Sequence, residues 1–389
     1  MESQVPREAV QLAESAVGVA PELIESALES VVRKVSEAVS SSILGLAVEV
    51  RRKLLSENRI GRACPPRDYC YLAVDSSYTS PSLELLGGYL GFIFVASVTY
   101  GKNCRSSTGP DVRAYLTYNP TRDLTTLEAR KLEKELALEV LKKRLNGELH
   151  FDVLVIDGDV VPRISPRLLS SSSEEGEIAR KLVDLADSVV LGAEKAGVPV
   201  VGVLKRSYSK DALAVLKHYL DTKLSDRAFM TYVLEPNEFF IIGDFESIAS
   251  AYRSVIEEFR SASPRETVPA LYRYSWLKRI LERSKIAAKM KMALYRPSSA
   301  IASSAVKVEY YSSSVGDEEL LSSLIYTAES TGFPAPVDYA DALTQISSDF
   351  RYTVYQVLLQ KIGEANPEAA QKLFSLANPQ KLGALGLRT

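Results

Sequence analysis

An α/β fold, one mixed sheet flanked by helices, is the class this sequence predicts, and three observations predict it. Two short apolar runs end in aspartate: residues 69–74 lead into Asp75, and residues 151–156 lead into Asp157-Gly158-Asp159. Between them, segments rich in β-formers follow one another without a helix-length insert up to Tyr118, as in antiparallel hairpins. Beyond the second run, a helix-length segment leads to a third apolar run at 198–204. That strand–helix–strand order predicts a parallel later half.

In chain order, residues 7–58 read as amphipathic helices. Leu23, Ile24, Ala27, Leu28, Val31 and Val32 recur at helical spacing, and Arg51, Arg52 and Lys53 close the stretch. Residues 1–58 are thus a helical extension: a cap, a dimerisation arm or a docking surface. Pro65-Pro66 breaks the chain before the core domain at 69–345, and residues 346–389 form a C-terminal helical tail. Within the core domain, 76–81 reads as a polar loop, and 85–100 and 112–118 as strands. A helix spans 123–145, with Leu127, Leu132, Leu136, Val140 and Leu141 as its stripe and Glu128, Glu133, Glu135 and Glu139 among its acids. A second helix covers 174–196. Strands are predicted at 229–233, 239–242 and 306–311, helices at 244–260 and 317–329, and a last helical region after Thr331-Gly332-Phe333-Pro334 carries Asp338 and Asp341.

Composition narrows the function. The 389 residues are 46% apolar and 25% charged with a formal net charge of −2, ordinary for a soluble globular protein. Nucleic-acid affinity must then come from a local basic patch. The N-terminus lacks an apolar signal core, and the run at 89–100 is too short and too interrupted to span a bilayer as a helix. A cytoplasmic protein without a membrane partner follows. Cys64, Cys70 and Cys104 form no C-x-x-C and read as free buried thiols of a reducing compartment. With only His150 and His218, a metal site must be built from carboxylates, which favours Mg²⁺ or Mn²⁺ over zinc. Neither histidine sits in a context that suggests a serine triad. No phosphate-loop or dinucleotide glycine motif is present.

Asp75 and Asp157 carry the chemistry. A carboxylate ending a core strand is costly unless a cation or several donors compensate it. Two of them side by side would stay ionised together around divalent ions. Asp-Ser and Asp-Gly are also common turn pairs. Lys205, at the end of the third apolar run with Arg206, would add charge beside a phosphoryl group. The stretch 271–296 is basic, with Arg273, Lys278 and Arg279 interleaved with Tyr272, Tyr274 and Trp276. It suits nucleic acid, cations following phosphates and rings stacking on bases. It also suits an amphipathic helix with Leu277, Ile280, Leu281 and Ala288 facing the core.

Read together, five ordered stretches resemble the NurA nuclease family of archaea. They are Ala73-Val74-Asp75-Ser76-Ser77-Tyr78, Arg130-Lys131-Leu132-Glu133, Val155-Ile156-Asp157-Gly158-Asp159, Gly202-Val203-Leu204-Lys205-Arg206-Ser207, and Gly332-Phe333-Pro334 leading to Ala340-Asp341. The resemblance implies an RNase H-like core with a metal-dependent nuclease site, usually Mn²⁺-stimulated, Mg²⁺ being the alternative, and with two ions. It implies a homodimer that degrades single- and double-stranded DNA with 5′-to-3′ polarity, working with a HerA-type hexameric ATPase and single-strand-binding protein in end resection for homologous recombination. By position, Asp75, Glu133, Asp157 and Asp341 would be metal ligands and Lys205 a phosphate contact. The family commonly has Asp-Gly-Ser where this chain has Asp75-Ser76-Ser77 and Asp157-Gly158-Asp159. It commonly has Tyr and His where this chain has Phe333 and Asp341, which implies an altered metal preference.

Overall fold

The computed structural model describes residues 25, 28–33, 41–80, 83–85, 88–104, 109–259, 264–298, 304–328, 331–366 and 368. Most of the helical pattern expected before residue 41 lies outside them. Helix α1 (Ser41–Ser56) buries Ile43, Ala47, Val50 and Leu54, the three- and four-residue spacing of one helix face. Its Arg51 grips both carboxylate oxygens of Glu238 at 2.6 and 3.0 Å and the Val233 carbonyl at 2.7 Å. This part of the N-terminal extension is a cap on the core.

After β1 (Ile60–Arg62), strands β2 (Tyr71–Tyr78), β4 (Gly88–Tyr100) and β5 (Asp111–Asn119) make an antiparallel meander, and the short β3 (Leu83–Leu85) pairs antiparallel with the start of β4. Strand β2 does not stop at Asp75. Ser76, Ser77 and Tyr78 stay in register with Val95, Phe94 and Ile93 of β4, so the loop expected from Ser76 begins later. The two serine hydroxyls find partners, Glu133 and the Thr344 carbonyl, which makes strand tolerable there.

The thiol reading is corrected. Cys70 and Cys104 are disulfide-bonded, and Cys64 is free but exposed. Their separation of 34 residues hides the pairing. The hairpin sets Tyr71 opposite Tyr100, and Gly101, at φ +130° with no room for a Cβ against the Tyr69 carbonyl, turns the chain back toward Cys70.

Helix α2 (Arg122–Leu145) crosses to β6 (Val153–Asp157), and the short α3 (Pro166–Leu169) precedes α4 (Glu174–Ala196) and β7 (Val200–Val203). The bounds of α4 are those the sequence predicts, because Ser173 accepts from the Gly176 amide at its start and Gly197 adopts φ +66° at its end. β6 runs parallel to β2 and to β7. The row β5-β4-β2-β6-β7 is therefore a three-stranded meander extended by two parallel strands, the arrangement of an RNase H-like core.

The chain continues through α5 (Asp211–Val215), α6 (Asp226–Val233), β8 (Glu238–Asp244), α7 (Phe245–Phe259), α8 (Pro264–Arg283), β9 (Lys291–Arg296) and β10 (Val306–Tyr311). It ends with α9 (Asp317–Tyr326), α10 (Ala335–Thr344) and α11 (Ser348–Ala365), whose Phe350 packs on Phe92 and Phe94. The strand expected at 229–233 is instead helical, with Ser225 as its N-cap. The later half of the sheet is parallel only as far as β7. β10, β9, β8 and β1 then extend it antiparallel, giving ten strands among the described residues.

Side chains of Leu72, Val74, Leu154 and Ile156 join one core with α2, α4, α7 and α8. Tyr71, Val153, Val155, Val201 and Val203 join a second core with α9 and α10 on the other face. Period-2 alternation puts Asp75 and Asp157 on this second face. No helix among the described residues is long and apolar enough to cross a membrane.

Candidate active site

Strand register builds the site. Val74 pairs with Ile156 in the parallel β2–β6 ladder, so Asp75 and Asp157 come next to each other at the same sheet edge. Gly158, at φ +117°, turns the chain away immediately after Asp157. Gly202 lets β7 approach, since a Cβ there would lie 2.5 Å from the Gly158 carbonyl oxygen. Helix α10 lays Asp341 over the pair, and one oxygen from each of Asp75, Asp157 and Asp341 lies within 4.8 Å of the others.

These carboxylates differ in setting. Asp75 is 4% exposed; its Oδ1 accepts from the Ser76 amide at 2.7 Å and its Oδ2 from the Thr344 hydroxyl at 2.6 Å. Burial first, then the charges of Asp157 and Glu133, push its carboxyl up to about 7. Burial raises Asp157 to about 6 against the opposing effect of Lys205, whose Nζ lies 2.7 Å away. The same ammonium reaches the more exposed Asp341 at 3.2 Å. Phe333 supports it: Lys205 Nζ is 5.6 Å from the ring centroid and the Arg227 guanidinium 5.7 Å.

Glu133 stands outside the three-aspartate cluster and comes from the opposite face on α2. It is 5% exposed, accepts from Ser76 Oγ at 3.0 Å, and is paired with Lys134 Nζ at 2.8 Å. Lys134 in turn donates to the Asp159 carbonyl at 2.7 Å, and the Asp159 carboxylate is bonded to Arg130. Burial would raise Asp159, but Arg130 and Lys134 outweigh it and hold its carboxyl below the usual range. The second aspartate of Asp157-Gly158-Asp159 thus anchors the wall of the site, and Glu133 faces its edge.

Sequence reasoning overlooked Thr344, Ser76, Lys134 and Arg227. A threonine in the last turn of a helix carries no signal, and Arg227 fell within a segment misread near a strand. Of the nucleic-acid candidates, Arg206 is exposed beside Lys205, and Lys278 and Arg279 are exposed on α8, whose apolar side packs on the opposite sheet face. Arg273 and Trp276 are corrected. Arg273 makes both its carboxylate bonds to the fully buried Asp211 at 2.9 Å, and Trp276, 3% exposed, packs against Arg273 and Phe245. Neither is available to phosphate or base in this arrangement.

Three carboxylates with two raised pKa values form a site short of positive charge. An oxygen-only donor set of this kind suits a hard divalent cation. Because such a cation requires ionised ligands, binding should release protons below about pH 7. The apparent affinity for Mn²⁺ is therefore expected to fall as pH drops through the range set by Asp75, at about 7, and Asp157, at about 6. The slope approaches about tenfold per pH unit for each proton displaced. Calorimetry in buffers of different ionisation enthalpy counts those protons, and an affinity flat across this range would contradict the reading.

An RNase H-like sheet with aspartates meeting at one strand edge defines the class of this protein. The NurA domain model matches residues 71–346, and the chain belongs to the NurA family. Among solved structures, the NurA nuclease from Sulfolobus solfataricus is 13% identical with a TM-score of 0.50, over 93% of this chain and 98% of that one. NurA with manganese is 11% identical, with a TM-score of 0.45 over 85% and 98% of the two chains. NurA bound to dAMP and manganese is 12% identical, with a TM-score of 0.42 over 81% and 94%. No curated protein matches the sequence.

Proposed function

We propose that this protein is a metal-dependent DNA nuclease that hydrolyses phosphodiester bonds at the β2–β6 edge. The observation that carries the proposal is the convergence of Asp75, Asp157 and Asp341, from two strands and a helix, with Lys205 between them. In this reading Asp75, Asp157 and Asp341 hold Mn²⁺ or Mg²⁺, Glu133 completes the ligand shell from the α2 side, and the family resemblance supports two ions. The bound ion supplies Lewis-acid stabilisation and an activated water. The chain does the rest. Thr344 and the Ser76 amide fix Asp75, Lys134 fixes Glu133, and Lys205 exchanges a carboxylate partner for a phosphate oxygen.

Family membership supports the finer reading: a homodimeric, cytoplasmic 5′-to-3′ exonuclease and single-strand endonuclease, acting with a HerA-type translocase and single-strand-binding protein on broken DNA ends. The N-terminal extension, residues 1–58, is in this reading a docking or dimerisation arm, of which α1 packs on the core. A time course on end-labelled DNA tests the activity. Degradation with Mn²⁺ that stops with chelator is the expected result. Binding without cleavage under every metal would favour a scaffold subunit instead, a reading consistent with Lys205 already neutralising Asp157 and Asp341.

A further inference from the structure

The segment between β7 and α5 carries Lys205 and is fastened from within. Arg227 donates to the Lys205 carbonyl and, at 3.0 Å, to that of Ala305. Ser207 is 4% exposed, its hydroxyl 3.0 Å from that of Ser209. Ser209 donates to Asp211 at 3.0 Å and accepts from the fully buried Lys307 at 2.8 Å. With both neighbours tied inward, Tyr208 is 87% exposed, the highest value among the exposed large apolar and aromatic side chains of the described residues.

A single exposed aromatic residue needs no explanation by itself. This one differs in two respects. Its backbone is held rigid by buried charge, so the ring is presented without the entropy cost of ordering a loop. It also lies three residues from Lys205, on the segment whose Lys205 carbonyl is held by Arg227, and the Arg227 guanidinium shares the Phe333 ring with Lys205. Arg206, between Lys205 and Ser207, is exposed as well.

We propose that Tyr208 is a nucleobase-stacking residue, taking the base of an unpaired nucleotide beside the phosphate held at Lys205, with Arg206 on a neighbouring phosphate. The proposal rests on the nuclease reading for the identity of the ligand and adds the residue that would hold an unpaired base. Bases within a duplex are stacked on both sides and offer the ring no free face. A π-face is common to all four bases, so the platform selects strand state and tolerates any sequence.

The test uses the full chain with chelator present, so that it reads binding apart from cleavage. Anisotropy of a labelled single strand and of a blunt duplex is measured for the native protein, Tyr208→Ala and Tyr208→Trp. Tyr208→Ala is expected to bind the single strand roughly ten- to a hundredfold more weakly, while duplex affinity stays within about twofold. Tyr208→Trp should restore binding, and a 2-aminopurine base in the strand should be quenched by the native protein and not by Tyr208→Ala. Equal single-strand affinity in native protein and Tyr208→Ala, or an equal loss on duplex, would overturn the proposal. If cleavage is never seen yet binding depends on Tyr208, the platform stands and the nuclease reading falls.

Discussion

Asp75→Asn is expected to lose at least about a hundredfold in metal-dependent cleavage, since losing even an outer partner of a metal ligand typically costs 10–100-fold. The substitution keeps the shape and the local bonds. An asparagine oxygen can accept from the Ser76 amide as Oδ1 of Asp75 does at 2.7 Å. Its amide can donate to Thr344, whose hydroxyl is also 3.2 Å from the Asp341 carbonyl and can turn to it. What disappears is the charge. The same variant should be more stable than the native protein when metal is removed above about pH 7. In the folded state the Asp75 carboxyl sits at about 7 against an ordinary 3.8, so the folded chain holds that proton more tightly than the unfolded one. Stability from this group is then greatest at acid pH and falls as pH rises through that window. Asparagine removes the fall. Thermal unfolding with chelator at pH 5 and pH 8 should show a smaller difference for Asp75→Asn than for native protein. Undiminished Mn²⁺-dependent degradation by this variant would refute the ligand role, and an unfolded variant would show that Asp75 is structural first.

How much of this was legible follows from how local each signal is. Asp75 and Asp157 could be found because a charged residue punctuates an apolar run, and their adjacency follows once both strands are placed in one sheet. Helix Glu174–Ala196 could be bounded because Ser173 and Gly197 are local caps. Residues 229–233 misled because a short run of aromatic and β-branched residues reads alike as strand or buried helix turn. Strand β9 was hidden inside the basic stretch, since Lys291 and Arg296 frame four buried residues and only that middle is apolar. The partners of the site were not local at all. Thr344 meets Asp75 across 269 positions and Lys205 meets Asp341 across 136. Arg273 read as a free cation because its partner Asp211 lies 62 residues away.

That buried partnership carries the largest stability effect. Lys307→Met is expected to cost roughly 3–5 kcal/mol, the penalty for leaving a buried charge unpaired. Lys307 is fully buried on β10 and places its ammonium 2.7 Å from Asp211 and 2.5 Å from Asp226, both also buried. Asp211 keeps Arg273, which with Lys307 overcomes the effect of burial and holds its carboxyl well below the usual range. Asp226 has no second cation paired with it among the described residues; its carboxylate accepts from the Ala212 and Leu213 amides at 3.0 and 3.1 Å. Burial, then Asp211, already raises its carboxyl despite Lys307. Without the lysine, Asp211 keeps Arg273 while Asp226 faces it with no cation on its own oxygens. Ser209 loses its donor as well, so the segment bearing Lys205 and Tyr208 should loosen, and single-strand binding should weaken along with stability. Urea unfolding measures the first effect. Adding Asp226→Asn should recover part of the loss, because the unpaired group is then neutral, and a double-mutant cycle reports that coupling. A loss near the ~1 kcal/mol of a surface ion pair would mean that water reaches the cluster and that the segment is held by something else.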